Sequence, residues 1–253
     1  ILLNSDQYGG LIVTMGTNAL EDVAYFISLI IQSDYPIVFT GAQYPKNSLS
    51  FDGQKNLYNA IKIITSNEAK GLGVLVTFYD YVLAARDAAK FPAGLPNHFS
   101  GQGSAAVGYV VGGTFNLRYK PVYKNNHFHN LNIDALTKLP DVMVIYGYVG
   151  MNDKMIHLAI ETGVDGIISA GFGNGYQPPL ITRCLKNAVD RGIPVIRCSR
   201  SGSGYSNSDP DYDETNGFIV SSGLSPHKTA ILLSIALQKT KDLNELKEIF
   251  MDY

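Results

Sequence analysis

A chain of 253 residues, 45% hydrophobic and 17% charged, carries enough apolar material to close a core and too little charge for a disordered chain. With a net charge of −2 and its Lys and Arg residues scattered, it lacks the basic stripe that nucleic acid requires. Its apolar runs, such as ALEDVAYFISLII, are broken by acids or fall short of the roughly 20 residues a membrane helix needs.

Chains of this size usually divide their core, so two compact α/β halves are expected. LIVT at residues 11 to 14 reads as a short buried strand that runs through Gly16-Thr17-Asn18 into the helical pattern of ALEDVAYFISLIIQS. The unit repeats with PIVFT (36 to 40), a polar loop through Pro45 and Lys46, and a helix opening at Asp52-Gly53. GVLVTF (73 to 78) is a third buried strand, and VGYVVGGTFNLRY (107 to 119) reads as a hairpin turning on its paired glycines. From Lys120 to Asp141 the chain is polar, aromatic and without sustained period, which predicts a connector over 121 to 141 between domains at 1 to 120 and 142 to 253. Beyond it, VMVIY (142 to 146), GIISA (166 to 170) and PVIR (194 to 197) are buried strands separated by helices near 152 to 162 and 178 to 191. Ser225-Pro226 fits an N-cap followed by Pro at the first helical position, and DLNELKEIF closes the chain as an amphipathic helix. The fold class is therefore α/β, two domains, each a mostly parallel sheet flanked by helices.

In such folds the loops leaving the carboxyl ends of strands carry the sites. Thr17 and Asn18 stand in the first of them, where a hydroxyl and an amide either cap the helix or face an electron-poor carbonyl. Arg86, Asp87 and Lys90 follow the third strand as a charged cluster, either solvated or supplying a lysine base. SAGFGNGYQPP brings backbone close to a cleft and points Asn174 toward it, but it lacks the dinucleotide fingerprint and the phosphate-loop lysine. His127 and His129 alternate in the connector, too few for a metal. Cys184 and Cys198 are the two cysteines and stand in no metal-ligand spacing, which leaves buried thiols or one bridge between them. Sixteen Tyr and no Trp suit polar clefts and subunit interfaces. Residues 199 to 217 are small, polar and acidic, a segment either mobile or tied down by a partner.

Taken in order, these stretches resemble the bacterial-type L-asparaginase and glutaminase-asparaginase family. GLIVTMGTNALEDVAYF is similar to its HGTDT signature and the E-x-AYF helix that follows. VFTGAQYP and FDGQKNLYNA resemble GAMRP and ADG-x-NLYNA; ARDAAK resembles RD-x-x-K; DGIISAGFGNG resembles DGI-SAG-GNG; and SPHKTAILLSIALQKT resembles N-P-x-KAR-LL-x-LAL. The resemblance implies an asparaginase/glutaminase-like amidohydrolase that takes the side-chain amide of L-asparagine, or L-glutamine, to the acid and ammonia. It needs no metal or organic cofactor, and its sites form between subunits of a homo-oligomer, a dimer of dimers. In the family one N-terminal Thr is the nucleophile, and a second Thr with an Asp and a Lys handles protons. Thr17 and Lys90 match that second group. Gly16 and the Ala42 backbone match positions lining the substrate, Asn18 replaces the family's substrate-binding Asp, and Asn174 matches the residue that a neighbouring subunit lends. An acidic partner is expected from 205 to 214, where Asp211 and Asp213 both qualify.

Several positions depart from the pattern. Met15, Asn18 and Ala19 replace His, Asp and Thr, while the TGGTI loop and the Tyr-bearing lid would lie upstream of Ile1. A family cysteine pair would fall at Ser5 and Ser33. Two functional readings follow: an amidohydrolase whose nucleophile segment is supplied by the uncut gene product or a separate N-terminal polypeptide, and a non-catalytic relative with a storage, structural or amino-acid-binding role. The compartment, cytoplasmic or secreted and periplasmic, stays open. Loss of the family's first strand would leave a sheet gap that another polypeptide or subunit fills.

Overall fold

The computed structural model describes residues 8–91, 99–101, 105–122, 128, 131, 138–201 and 205–253, so Ser5, His127, His129 and most of the expected connector lie outside the described residues. The chain divides into two compact units, Ile1–Val122 and Tyr123–Tyr253.

In the first unit the order is β1 (Leu11–Thr14), α1 (Leu20–Ile30), β2 (Ile37–Thr40), α2 (Gly53–Ile64), β3 (Val74–Phe78), β4 (Tyr81–Ala84), β5 (Ala89–Lys90), β6 (Phe99–Ser100), β7 (Gly108–Val111) and β8 (Thr114–Leu117). The main sheet runs β1-β2-β3-β4-β7-β8, with β5 and β6 paired separately. The first three strands are parallel, with Leu11 opposite Ile37 and Ile37 opposite Val74. Beyond β3 the pairing is antiparallel, so the parallel character expected from the sequence holds over β1 to β3 and gives way to a meander. The reason is local. Only Tyr79 and Asp80 separate β3 from β4, and a two-residue connection can return the chain only as a hairpin.

Side chains alternate across this sheet as a strand's pleat demands. Ile37, Phe39, Val74, Val76 and Phe78 join Leu20 and Ala24 of α1 in one core, while Val38 and Leu75 join Ala60 and Ile63 of α2 in the other. Both faces are thus covered, which is why β2 and β3 read as unbroken apolar runs.

The second unit contains β9 (Val142–Tyr146), α3 (Lys154–Thr162), β10 (Gly166–Gly171), α4 (Pro179–Asp190), β11 (Val195–Ser199), α5 (Pro210–Asn216), β12 (Ile219–Val220), α6 (Pro226–Lys239) and α7 (Leu243–Asp252). Its sheet, β12-β11-β10-β9, is parallel throughout. On one face Ile156, Ala159, Ile181 and Leu185 of α3 and α4 pack on Ile145, Ile167 and Val195. On the other, α6 lies against β9 and β10, and Gly166 makes this approach possible: a Cβ there would stand 2.6 Å from Leu233 Cδ2. The last helix is docked through Leu246, Ile249 and Phe250, all buried.

Two details bear on the sequence reading. Ser225 occupies the N-cap position with Pro226 following, but its hydroxyl makes no cap bond and lies 3.0 Å from His227 Nε2. Cys184 and Cys198 are both free thiols, so the bridge between them does not form. Burial pushes the Cys198 thiol up to about 12.

Candidate active site

The loop after β1 carries Met15, Gly16, Thr17, Asn18 and Ala19 before α1 begins at Leu20. Neither Thr17 nor Asn18 caps the helix; the N-cap position is Ala19 and no side chain bonds there. Both side chains turn instead to one cation. Lys90 Nζ donates to Thr17 Oγ1 at 2.8 Å and to Asn18 Oδ1 at 3.2 Å, and the Lys90 backbone N–H donates to Glu21 Oε2 at 3.2 Å. Two stretches far apart in sequence therefore meet at one half-buried lysine, its ammonium on Thr17 and Asn18 and its backbone N–H on Glu21. Of the charged residues in ARDAAK, Arg86 pairs with Asp87 at 2.9 Å, while Lys90, on β5, turns its ammonium to Thr17 and Asn18.

Gly16 is exposed, and a Cβ built on it would meet nothing within 4 Å. Ala42 stands in the next loop, which leaves β2 beside it. That loop abuts the first so closely that a Cβ on Gly41 would lie 2.5 Å from the Met15 carbonyl oxygen. What holds Ala42 in place is a buried carboxylate that the sequence reading saw only as a helix start. Asp52 accepts the Gln43 N–H at 3.0 Å, the Tyr44 N–H at 3.0 Å and Asn56 Nδ2 at 2.8 Å. Asn56 donates further to the Gly41 carbonyl at 2.9 Å and accepts the Tyr79 N–H at 2.8 Å.

Asn59, one turn on, donates to the Tyr79 carbonyl. Tyr79 is the one described non-glycine residue with positive φ, at 53°, a conformation that needs such outside support. Burial first, then the Asp52 carboxylate, raises the Tyr79 phenol above its usual range. The signal for all this lay in the NLYNA stretch: polar Asn56 and Asn59 recur at helical spacing on the face that also carries apolar Ala60 and Ile63.

Asn174 belongs to the second unit, in the tight turn after β10. Its carboxamide is engaged at both ends with residue 207, donating to the Asn207 carbonyl at 3.0 Å and accepting the Asn207 N–H at 2.6 Å. Behind the turn lies Arg197 of β11, 1% exposed. Its guanidinium binds Asp213 through Nε at 2.6 Å and Nη2 at 2.8 Å, donates to the Asn207 carbonyl at 2.8 Å and to the Asn174 carbonyl, and lies over the rings of Tyr176 and Tyr212.

The acidic segment is thus tied down, over its described residues 205 to 217, from within its own unit. Asp213 is committed to Arg197, whereas Asp211 is exposed. Asp209 caps α5 and accepts the Tyr176 hydroxyl at 2.7 Å. That hydroxyl first, then the Tyr212 N–H, holds its carboxyl below the usual range. Arg197 escaped the sequence reading because a strand of PVIR gives no sign of where its charge goes.

Comparison with known proteins gives the family. Residues 2–123 match the family model "Asparaginase, N-terminal" and residues 141–250 match "Glutaminase/Asparaginase C-terminal domain". The chain is 34% identical over 252 residues to "L-asparaginase 2" of Bacillus subtilis (strain 168), covering 100% of this chain and 67% of the relative. It is 34% identical over 249 residues to "L-asparaginase 2" of Escherichia coli (strain K12), covering 98% and 72%, and 33% identical over 255 residues to "Glutaminase-asparaginase" of Pseudomonas aeruginosa, covering 100% and 70%. A "Probable L-asparaginase periplasmic" of Haemophilus influenzae matches at 33%, and no helix among the described residues of this chain is long and apolar enough to cross a membrane. The chain belongs to the glutaminase/asparaginase family.

Proposed function

We propose that this chain is the scaffold of an amidohydrolase acting on the side-chain amide of L-asparagine, or of L-glutamine, with Thr17 and Lys90 handling the proton. The observation that carries the reading is the 2.8 Å contact between Lys90 Nζ and Thr17 Oγ1. An ammonium donating to a hydroxyl orients that oxygen's remaining proton and lone pair, and once deprotonated the amine can draw a proton through it. Gly16 and the Ala42 backbone would line the substrate, and Asn174 of a second copy would meet its amino group in a homo-oligomer, a dimer of dimers.

The hydroxyl that attacks the amide carbon belongs, in this reading, to a segment outside residues 1–253, on the same gene product or on a separate polypeptide. Supporting this, β1 has a strand partner on one side alone among the described residues. A strand laid along its free edge would deliver its loop beside Thr17. The test is ammonia release by the natural protein from L-asparagine and L-glutamine. Activity that falls at least 100-fold in both Thr17→Val and Lys90→Met is expected; full activity in either variant would overturn the assignment.

A second reading rests on Asn18. It is a neutral acceptor 3.2 Å from Lys90, where a carboxylate would supply a charge for both the lysine and a substrate ammonium, an interaction worth roughly 1.5 to 3 kcal/mol. A relative without it fits storage, structural or amino-acid-binding work. Calorimetric binding of L-asparagine with no ammonia released, unchanged in Asn18→Asp, would favour this reading over the first.

A further inference from the structure

Three ligating side chains of different chemistry converge on the second unit, on residues that the amide chemistry does not use. Asp153 stands at the N-cap position of α3 and His157 one turn later, so both project from the same helix face. Cys184 comes from α4, which packs against α3. The separations are 3.4 Å for His157 Nε2 to Asp153 Oδ2, 3.8 Å for Cys184 Sγ to Asp153 Oδ2 and 4.0 Å for Cys184 Sγ to His157 Nε2.

We propose that Asp153, His157 and Cys184 form a binding site for a borderline-soft divalent cation of the Zn(II) class, with the fourth coordination position open to solvent. Zinc bonds of about 2.0 Å to oxygen and nitrogen and about 2.3 Å to sulfur, set at the tetrahedral angle, put the donors roughly 3.3 to 3.6 Å apart. The observed triangle needs to tighten by about half an ångström or less at each edge to meet those bonds. The His157 side chain, 51% exposed, is free to make that adjustment.

The donor set also selects the ion. A thiol with an imidazole favours zinc-like metals over magnesium or calcium, which want oxygen alone. On binding, the Cys184 S–H proton leaves to solvent as the sulfur–metal bond forms. A thiolate, a carboxylate and a neutral imidazole then balance the 2+ charge. An i,i+4 Asp–His ion pair alone would account for two of these groups, yet it gives no reason for a sulfur to complete the triangle.

The test uses the full chain, reduced and stripped with chelator, titrated with Zn(II) against a chromogenic competitor and, in parallel, with Co(II). One equivalent should bind. Cobalt should show a thiolate-to-metal charge-transfer band in the near ultraviolet that Cys184→Ser abolishes, and Zn(II) should slow alkylation of Cys184. His157→Gln, an exposed change that leaves the fold intact, should weaken Zn(II) at least about 10-fold, the lower end of what even outer partners of a metal carry. No charge-transfer band, a band that survives Cys184→Ser, or Zn(II) affinity unchanged in His157→Gln would overturn the site and leave an ion pair only. None of these readouts involves ammonia release, so failure here is separate from failure of the proposed reaction.

Discussion

Replacing Asp213 by Ala should be among the most damaging single changes in the second unit. Arg197 and Asp213 have side-chain exposures of 1% and 8%, and removing the carboxylate takes away two charge-assisted hydrogen bonds together with the acceptor of the Asp209 N–H at 2.9 Å. Breaking a buried pair from one side costs about 3 to 5 kcal/mol, because the remaining charge is stranded. Here the guanidinium keeps the Asn174 and Asn207 carbonyls and two aromatic faces, so the lower end, about 3 kcal/mol, is expected. That is a factor of more than about 100 in the folded-to-unfolded ratio. Urea unfolding at neutral pH measures it.

The double variant Arg197→Met with Asp213→Leu is a sharper test. With no charge left to strand, the cost beyond the Asp209 N–H, which loses its acceptor in both variants, is that of the lost donors to two carbonyls, about 1 to 3 kcal/mol, so the double variant should be at least as stable as Asp213→Ala. A single-variant loss below about 1 kcal/mol, or a double variant clearly less stable than the single, would refute the account. Because Arg197 also holds the Asn174 turn, Asp213→Ala should expose Asn207 and its neighbours to faster amide exchange.

Two further expectations follow from the same kind of reading. Asp52→Ala leaves the Gln43 and Tyr44 N–H groups without their acceptor and should cost about 2 to 3 kcal/mol, with faster amide exchange at residues 43 and 44; protection unchanged at both would show that the loop does not depend on the carboxylate. The Asp209 carboxyl is held low by the Tyr176 hydroxyl and the Tyr212 N–H. Its contribution is therefore fully present above the ordinary carboxylate range and is lost as pH falls through its depressed folded value. Asp209→Asn should lower the melting temperature at pH 7 and converge with the unchanged protein in strong acid, so a difference that grows with acidity would reverse the assignment.

Much of the α/β plan was legible in the sequence. LIVT, PIVFT, GVLVTF, VMVIY and GIISA became strands within a residue or two of their expected bounds, because a strand covered on both faces must be a short apolar run between turn residues. YVLA did not announce itself as β4, since Asp80 on one side and Arg86-Asp87 on the other made the segment read as charged loop. Its pairing is decided by the Tyr79-Asp80 turn, which α2 grips through Asn56 and Asn59.

Residue chemistry is written in the chain, but partnership is not. Thr17, Lys90 and Asn174 could be named from their order and their resemblance to a family. That Lys90 would leave its neighbours Arg86 and Asp87 to meet Thr17 across 73 residues, that Arg197 would claim Asp213, and that Cys184 would join Asp153 and His157 depended on which strands and helices lie side by side. Periodicity is a local property, set by how each residue sits on its own helix or strand. Proximity between charges belongs to the packed layers, where burial decides which groups must find each other.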